Sequence, residues 1–325
     1  MPPKLVSINI LNTNERHYLG RCLDAIGRQT YPNLEVAVLD NGSTDGSVEF
    51  VRAGYPQVRV IENGRNLGYA PGHNVGIRAC SGEYVMPLNT DIFLRPEFVA
   101  AKVAALEQED RIWAVEGKLL RYDPNNPDHP ETDQIDSVGL ILRRSRRNFD
   151  PGQGEIDRGQ YDRPEPVFGA SGSAPLYRRS MLEDIRYGDE YFDASFFIYR
   201  EEVDLAWRAQ LRGWRCVFTP DAVAYHVRGF SPQTRRRQSR RFRRLSFRNR
   251  YLMLLKNDTT HNLRRDWRQV GWFELLQAGH VLLREPHLLL GWWEFLTLAP
   301  GALCKRCRIQ STRVVGDDEI HRWFG

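Results

Sequence analysis

Short runs of apolar residues alternate with longer segments of helical periodicity in the first third of the chain. Runs with the length and apolar content of buried strands lie at residues 5–11, 34–39, 58–62 and 84–88. Between them, residues 14–27 and 70–80 repeat apolar positions at the spacing of a helix face, and a further helix ends near Ala53. This β-α-β alternation predicts an α/β fold in which helices cover both faces of a mostly parallel sheet.

Acidic and amide side chains directly follow two of the predicted strands. Asp40 opens the polar turn Asp-Asn-Gly-Ser-Thr-Asp, and Asn89 and Asp91 follow the fourth run. Because ligands of open α/β sheets bind beyond the carboxyl ends of the strands, we expect these side chains at one shared edge. Asp40 could recognise a nucleotide and Asp91 could bind a divalent cation on a pyrophosphate, although a residue in such a position, taken singly, more often caps a helix.

Three acids cluster at the start of a predicted helix in the second half of the chain. Glu201, Glu202 and Asp204 follow the aromatic run FDASFFIY. Carboxylates in a first helical turn complement the helix dipole, but three within four residues exceed that need, so one is a candidate general base. His226 follows a predicted strand at residues 215–219 that ends at Pro220. It is a candidate metal ligand, although a lone histidine is more often structural.

The composition of the chain changes near residue 230. Residues 121–166 are rich in Pro, Asp, Asn, Gly and Arg and predict loops or a short hairpin, whereas residues 231–325 read as an arginine-rich, helical extension. Nine arginines lie between Arg235 and Arg250; the formal net charge is +5, so the rest of the chain carries a net charge of −4. We therefore predict a domain of residues 1–230 followed by a basic extension.

The compartment is predicted from cysteine usage and apolar runs. The five cysteines are scattered and odd in number, which argues against a disulfide framework. The first residues lack a basic region followed by a long apolar one, and no uncharged apolar run reaches the length of about 18 residues typical of a membrane span. We therefore expect neither a signal peptide nor a transmembrane helix, and a location in the reducing cytosol.

Four stretches, taken in order, resemble family 2 glycosyltransferases of the GT-A fold, and especially their rhamnosyltransferase-like bacterial branch. They are VSINILNTNER, VAVLDNGSTDGS, NLGYAPGHNVGIRACSGEYVMPLNTD and FFIYREEVDLAWRAQLRGWRCVFTPDAVAYH. The resemblance covers residues 4–230 and implies a Rossmann-like domain, with residues 1–118 binding the nucleotide sugar and residues 119–230 binding the acceptor. It implies sugar transfer from a nucleotide-diphosphate donor, such as dTDP-rhamnose, to a hydroxyl of a glycan or lipid-linked acceptor in cell-surface polysaccharide synthesis.

The resemblance also implies roles for individual residues. Contacts with the nucleotide sugar fall to Asn12, Asp40, Asn66, Gly68, Asn74 and Asn89. Asp91 matches the last acid of the D-x-D-type motif and would hold Mg²⁺ or Mn²⁺ on the diphosphate, with His226 as a second ligand. Glu202 aligns with the catalytic base. Because Glu stands where the family usually has Asp, Glu201 and Asp204 remain alternatives for that role.

The implied reaction is a single displacement that inverts the anomeric centre without a covalent sugar–enzyme intermediate. A metal ion would stabilise the leaving diphosphate, and one carboxylate would deprotonate the acceptor hydroxyl. The alternative is a non-catalytic module that binds sugar nucleotides but does not turn them over.

The arginine-rich stretch allows three interpretations. Its arginines are interspersed with Phe242, Leu245 and Phe247. This pattern fits a solvated helix face, a nucleic-acid-binding patch or a helix at an anionic membrane surface. No recognised RNA-binding module accompanies it, which disfavours nucleic acid. We expect the stretch either to pack on the core or to hold the enzyme on the inner face of the plasma membrane, assisted by aromatic residues between 271 and 300.

Overall fold

A ten-stranded sheet forms the centre of the protein in the computed structural model, which describes residues 2–228 and 238–325. In chain order the strands are β1 (Val6–Asn12), β2 (Leu34–Asp40), β3 (Arg59–Glu62), β4 (Tyr84–Asn89), β5 (Ile92–Leu94), β6 (Ile112–Tyr122), β7 (Glu131–Ser137), β8 (Ile141–Leu142), β9 (Asn148–Phe149), β10 (Glu165–Val167), β11 (Leu176–Arg178) and β12 (Arg215–His226). The main sheet has the order β10-β12-β6-β11-β4-β1-β2-β3, with β5 beside β12 and β7 beside β6, and β8 pairs with β9 in a separate hairpin.

Helices cover both faces of this sheet. They are α1 (Arg16–Gly27), α2 (Ser47–Gly54), α3 (Tyr69–Ala79), α4 (Phe98–Leu106), α5 (Arg179–Ile185), α6 (Glu201–Leu211), α7 (Arg240–Asn257), α8 (Thr260–Arg265), α9 (Trp267–Arg284), α10 (Leu289–Thr312) and α11 (Asp317–His321). One apolar core joins the sheet to α1 and α4, and another joins it to α3, α5 and α6. The predicted fold class is confirmed, with antiparallel strands added to the parallel set.

Parallel pairing of β1 with β2 and β4 aligns the ends of these strands. Asn12 lies opposite Asp40, and Leu11 lies opposite Asn89. Val6, Ile8 and Ile10 of β1 have no exposed surface. Alternate residues of a strand point to opposite faces, so these three fill the core on the side of α1 and α4. The apolar core thus sets the register, and the register brings the polar strand ends to one edge.

Two predictions about the middle of the chain were wrong in detail. The stretch 121–166, predicted as loops or a short hairpin, contains the short hairpin β8–β9 but also β7 and most of β10, which were not predicted. β7 and β10 carry many polar residues, and they form because pairing with β6 and β12 supplies their partners. The strand predicted to end at Pro220 continues to His226, because the register with β6 shifts between Thr219 and Val223. Proline is tolerated at such an irregularity since it need not donate a ladder hydrogen bond there.

The C-terminal helices share the core of the sheet domain. Leu252 and Met253 of α7, Ile309 of α10 and Phe324 belong to the same apolar cluster as α6. The predicted boundary at residues 230–231 lies outside the described residues and stays a prediction. No helix within residues 2–228 and 238–325 has the length and apolar content needed to cross a bilayer.

A buried ion network ties the hairpin β8–β9 to the C-terminal helices. Arg146, in the turn of the hairpin, contacts Asp258 Oδ2 through Nε at 2.8 Å and Asp266 Oδ2 through a terminal nitrogen at 2.5 Å. His321 approaches the same Asp266 oxygen at 3.0 Å. All three residues of the Arg146–Asp258–Asp266 network are at most 1% exposed. Removing one partner of a buried ion pair is costly because it leaves the other charge unpaired in a medium of low polarity.

The variant Arg146→Leu should therefore lower the free energy of unfolding by about 3–5 kcal/mol, measured by urea denaturation. Arg158→Leu, at an exposed arginine, is the control and should change it by less than about 0.5 kcal/mol. Equal unfolding midpoints for the two variants would show that the buried network does not hold the C-terminal helices.

Candidate active site

Polar side chains at the ends of β1 and β2 form a fixed cluster at the edge of the sheet. Asp40 Oδ2 accepts hydrogen bonds from the backbone N–H groups of Gly42 and Ser43, each at 3.0 Å. Asn12 donates to Asp40 Oδ1 at 3.3 Å and to Ser43 Oγ at 2.9 Å. Asp40 is only 3% exposed. These bonds hold its carboxylate in one orientation beside Asn12 and the end of β4.

His226 lies between two carboxylates at the end of β12. Its Nε2 is 3.4 Å from Asp91 Oδ2, and its Nδ1 is 2.7 Å from Asp136 Oδ2. The pairing of β12 with β5 brings these residues together, since His226 lies opposite Ile92, the neighbour of Asp91. Burial opposes a positive charge on the ring, but Asp91 and Asp136 outweigh it and raise the pKa of His226 to about 9.

Asp136 is the centre of a larger ion network. Besides His226, it contacts Arg121 at 2.8 Å and Arg228 at 3.1 Å. Burial acts against its charge, but His226 and the two arginines lower the pKa of Asp136 to about 2. Arg228 also contacts Asp150 at 3.1 Å. The sequence analysis missed Asp136 because two of its partners, His226 and Arg228, lie at and beyond the end of β12, about 90 residues away in sequence.

Asp91 and His226 are candidate ligands of a divalent cation, which would have to displace the proton of the His226 ring. A carboxylate that binds the second ring nitrogen of a histidine, as Asp136 does, is the usual device for orienting a metal-ligating imidazole. Within the described residues, no group of three or more His, Cys, Asp or Glu side chains could hold a metal ion. A cation at this pair would therefore take its remaining ligands from water and phosphate, as Mg²⁺ commonly does.

Glu15 is a further acid beside this pair that the sequence analysis missed. Its carboxylate accepts a hydrogen bond from the hydroxyl of Thr90, the residue before Asp91. Burial, and then the charge of Asp91, raise the pKa of Glu15 to about 7. A signal was available, because Glu15 follows the first strand closely, much as Asp91 follows the fourth.

The three acids at the start of α6 have different environments. Asp204 is held by Arg208 at 3.1 Å, by Lys256 at 2.8 Å and by the amide of Asn257 at 2.7 Å. Glu201 is 4% exposed, and burial followed by the charge of Glu202 raises its pKa well above the ordinary value. The contacts with Arg208, Lys256 and Asn257 make Asp204 part of a structural ion network.

Glu202 is half-buried, and two influences on its carboxyl group oppose each other. Burial raises the pKa of Glu202, whereas the N–H groups at the helix start and the charge of Arg200 lower it. Burial is the larger effect, so the net pKa is raised above 4.5. A carboxylate with a raised pKa is a stronger base once it is deprotonated.

The backbone that leads into Glu201 is held in an unfavourable conformation. Phe197, Tyr199 and Arg200 have φ values of 63°, 72° and 72°, in the left-handed region that side chains other than glycine rarely adopt. Each such residue costs about 1–3 kcal/mol and persists only where its surroundings hold it. Asn249 of α7 does so, because its amide donates to the carbonyls of Phe196, Ile198 and Tyr199, each at 2.9 Å.

The predicted nucleotide loop makes its contacts within the protein. Asn74 accepts hydrogen bonds from the N–H groups of Tyr191 and Phe192 and donates to the carbonyl of Phe192. Asn66 accepts one from the N–H of Gly68 at 2.8 Å. A Cβ at Gly68 would lie 2.5 Å from the carbonyl oxygen of Phe197, so this position needs glycine for packing. The roles of these three residues in nucleotide binding stay predictions.

A short segment, residues 172–173, links the sheet edge to Glu202. The N–H of Asn89 donates to the carbonyl of Ser173 at 3.1 Å. The hydroxyl of Tyr69 donates to the carbonyl of Gly172 at 2.5 Å, and a Cβ at Gly172 would lie 3.7 Å from Cβ of Glu202. Asn89 at the sheet edge and Glu202 at the start of α6 thus border one region of the molecule.

Comparison with known proteins gives this arrangement a family. The family model described as Glycosyl transferase family 2 matches residues 7–186, more than half of the chain. The chain belongs to glycosyl transferase family 2. It is 30% identical over 234 residues to the N-acetylglucosaminyl-diphospho-decaprenol L-rhamnosyltransferase of Mycobacterium tuberculosis, a match that covers 66% of this chain and 73% of that protein. The predicted family and its rhamnosyltransferase-like branch are confirmed.

Solved structures show the same fold. The mannosyltransferase of Pyrobaculum calidifontis in complex with GDP-Man and Mn²⁺ superposes with a TM-score of 0.54 at 16% identity, covering 95% of this chain and 86% of that one. Residues 1–349 of S. aureus TarS in complex with UDP-GlcNAc give a TM-score of 0.56 at 16% identity, covering 95% and 84%. At this identity the likeness establishes the GT-A fold of this glycosyltransferase.

The contact between Gly68 and Phe197 can be tested with a matched pair of variants. Gly64 and Gly68 both have positive φ, at 70° and 85°, but an added Cβ meets no atom within 4 Å at Gly64. Gly68→Ala should therefore lose about 1–3 kcal/mol more stability than Gly64→Ala, measured by thermal unfolding, because only its methyl group overpacks. Equal losses would mean that the approach of Phe197 does not constrain position 68.

Proposed function

We propose that this family 2 glycosyltransferase is an inverting, metal-assisted enzyme. It moves a sugar from a nucleotide-diphosphate donor to a hydroxyl of a glycan or lipid-linked acceptor in cell-surface polysaccharide synthesis. The observation that carries the proposal is the Asp91–His226 pair at the sheet edge, with the half-buried Glu202 bordering the same region. The Asp91–His226 pair would hold the cation that stabilises the leaving diphosphate, and Glu202 would deprotonate the acceptor hydroxyl.

The donor would lie along the sheet edge. Asp40 and Asn12 offer a carboxylate and an amide to the nucleotide, and Asn66, Gly68, Asn74 and Asn89 are the further proposed contacts. dTDP-rhamnose is our first candidate, because the mycobacterial relative is named as an L-rhamnosyltransferase. A divalent cation bound by Asp91 and His226 would act as a Lewis acid toward the departing diphosphate.

Glu202 would accept the proton of the acceptor hydroxyl. The hydroxyl oxygen would attack the anomeric carbon from the face opposite the diphosphate, which inverts that centre in one step. The raised pKa of Glu202 supports this role, because it makes the carboxylate a better proton acceptor. Asp204 is a poor alternative because its oxygens bind Lys256 and Arg208, which leaves Glu201 as the main rival.

A lipid-linked acceptor would place the reaction at a membrane. The name of the mycobacterial relative includes a diphospho-decaprenol, a polar group on a polyisoprenoid chain. We propose a cytoplasmic enzyme that is peripheral on the inner face of the plasma membrane.

Replacement of the base tests the proposed mechanism. Glu202→Gln should keep sugar-nucleotide binding and lower kcat by about 10²–10⁴-fold, since the amide keeps the shape but cannot accept the proton. Single-turnover assays and donor titrations measure the two effects separately. Glu201→Gln is the matched control and should lose much less. If Glu201→Gln loses turnover while Glu202→Gln keeps it, the base is Glu201.

Donor and cation can be identified by thermal unfolding with dTDP-rhamnose, UDP-GlcNAc and GDP-mannose, each with and without Mn²⁺. A ligand at 100 times its Kd stabilises the native state by about 2.7 kcal/mol, so the true donor should raise Tm. Its effect should be larger with Mn²⁺, because the cation would bind the donor diphosphate. Asp91→Asn should lose the increment due to Mn²⁺, whereas Asp110→Asn, at an exposed aspartate, should keep it. Donor binding without any turnover would favour the non-catalytic module, and an increment that survives Asp91→Asn would contradict the proposed cation site.

A further inference from the structure

Helices α9 and α10 expose a long apolar surface. Its residues, each between 40% and 82% exposed, are Trp267, Trp272, Leu275, Leu276, Leu282, Leu283, Leu289, Leu290, Trp293, Leu296 and Leu303. Val281 is the single buried residue among the 18 of α9, and α10 buries three of its 24. On α10 most of these side chains recur three or four residues apart, and on α9 they fall within one half of the helix circumference, so each set lies on one side of its helix. Two helices of this length are not expected to leave such a face in water.

No carboxylate belongs to this surface. Residues 267–312 contain three acids, and each is paired with an arginine of α7. Glu274 contacts Arg250 at 2.8 Å and Glu294 contacts Arg244 at 2.9 Å, while Glu285 binds Arg243. The exposed charges are cationic: Arg268, Arg284 and Arg308. The surface is therefore apolar and basic.

The described part of the arginine-rich stretch packs within the protein, which is one of the two roles expected for it. Arg243, Arg244 and Arg250 bind the acids of α9 and α10, and Arg248 donates to the carbonyl of Ser195 at 2.6 Å. These arginines hold α9, α10 and the segment before α6 against α7. Arg235 and its two neighbours lie outside the described residues.

We propose that α9 and α10 lie in the interfacial layer of an anionic membrane, with Trp272, Leu283 and Trp293 inserted among the lipids. Exposed tryptophan and leucine flanked by arginine are typical of helices that bind this layer, and the three acids of these helices are neutralised by arginines of α7. At 1.5 Å per residue the two helices are about 27 and 36 Å long, which gives a large area of insertion. This docking surface goes beyond the proposed function. Only the reason for docking, access to a lipid-linked acceptor, rests on that function.

Helix α7 lies between the docked helix α10 and the segment that leads to the proposed base. The ring of Trp292 on α10 lies 5.4 Å from that of Phe247 on α7, and Asn249 of α7 binds the carbonyls before Glu201. Membrane docking would thus fix the height of the acids above the lipid surface. An acceptor sugar carried on a lipid is presented at such a fixed height.

Vesicle co-sedimentation of the full chain tests the proposal. The wild type should bind phosphatidylcholine vesicles that contain phosphatidylglycerol better than phosphatidylcholine alone. The variant W272S/L283S/W293S should bind at least about tenfold more weakly, because three anchors are lost. The control I156S/V314S replaces apolar residues that are 50% and 64% exposed outside α9 and α10, and it should bind as the wild type does.

Leu283→Asp provides a second variant that should not disturb folding, since Leu283 is 82% exposed. It should also weaken vesicle binding. Undiminished binding by the triple variant and by Leu283→Asp would overturn the proposal. The proposal would also be overturned if light scattering showed that the wild type dimerises through these side chains and it did not bind vesicles, because a second copy would then cover the surface.

Donor-induced thermal stabilisation separates this proposal from the proposed function. The triple variant should keep the same Tm rise with donor and Mn²⁺ as the wild type, because it leaves the sheet edge intact. A protein that binds vesicles but shows no donor effect would contradict the proposed function alone. Loss of vesicle binding in the triple variant with an unchanged donor effect would support docking through α9 and α10.

Discussion

The parallel register of β1 with β2 and β4 is the constraint on which the candidate site depends. Val6, Ile8 and Ile10 must face the core, and a slip by one residue would turn all three to the other face. Once they are buried, the side chains of Asn12, Asp40 and Asn89 come to the same edge. The apolar positions of one strand thereby set the place of the polar groups proposed to bind the donor.

Buried charge is tolerated at this edge because it is arranged in a connected network. Asp91, His226, Asp136, Arg228 and Asp150 follow one another with each neighbouring pair 3.4 Å apart or less. Each charged group has an opposite charge beside it, which offsets the cost of removing it from water. The same network fixes which ring nitrogen of His226 faces Asp91, so preorganisation of the proposed cation site and burial of its charges have one origin.

The C-terminal helices contribute to the site as well as to the core. Asn249 binds the strained backbone before Glu201, and Lys256 bridges Asp193 and Asp204 at 2.5 and 2.8 Å. Without α7, the left-handed residues Phe197, Tyr199 and Arg200 would lose partners that hold them. The extension and the sheet domain are therefore coupled through the loop that precedes α6, the helix that carries the proposed base.

The sequence by itself determined the α/β class, the family and the polar strand ends at Asp40 and Asp91, because strand periodicity and motif order are local signals. Only the tertiary structure decided the partners of those groups. Asp136 meets His226 across strands far apart in sequence, Asn74 binds the backbone of residues 191 and 192, and Lys256 reaches Asp204 from α7. Whether a charged side chain is solvated, paired or exposed to a ligand depends on contacts between distant segments, and no local pattern encodes those contacts.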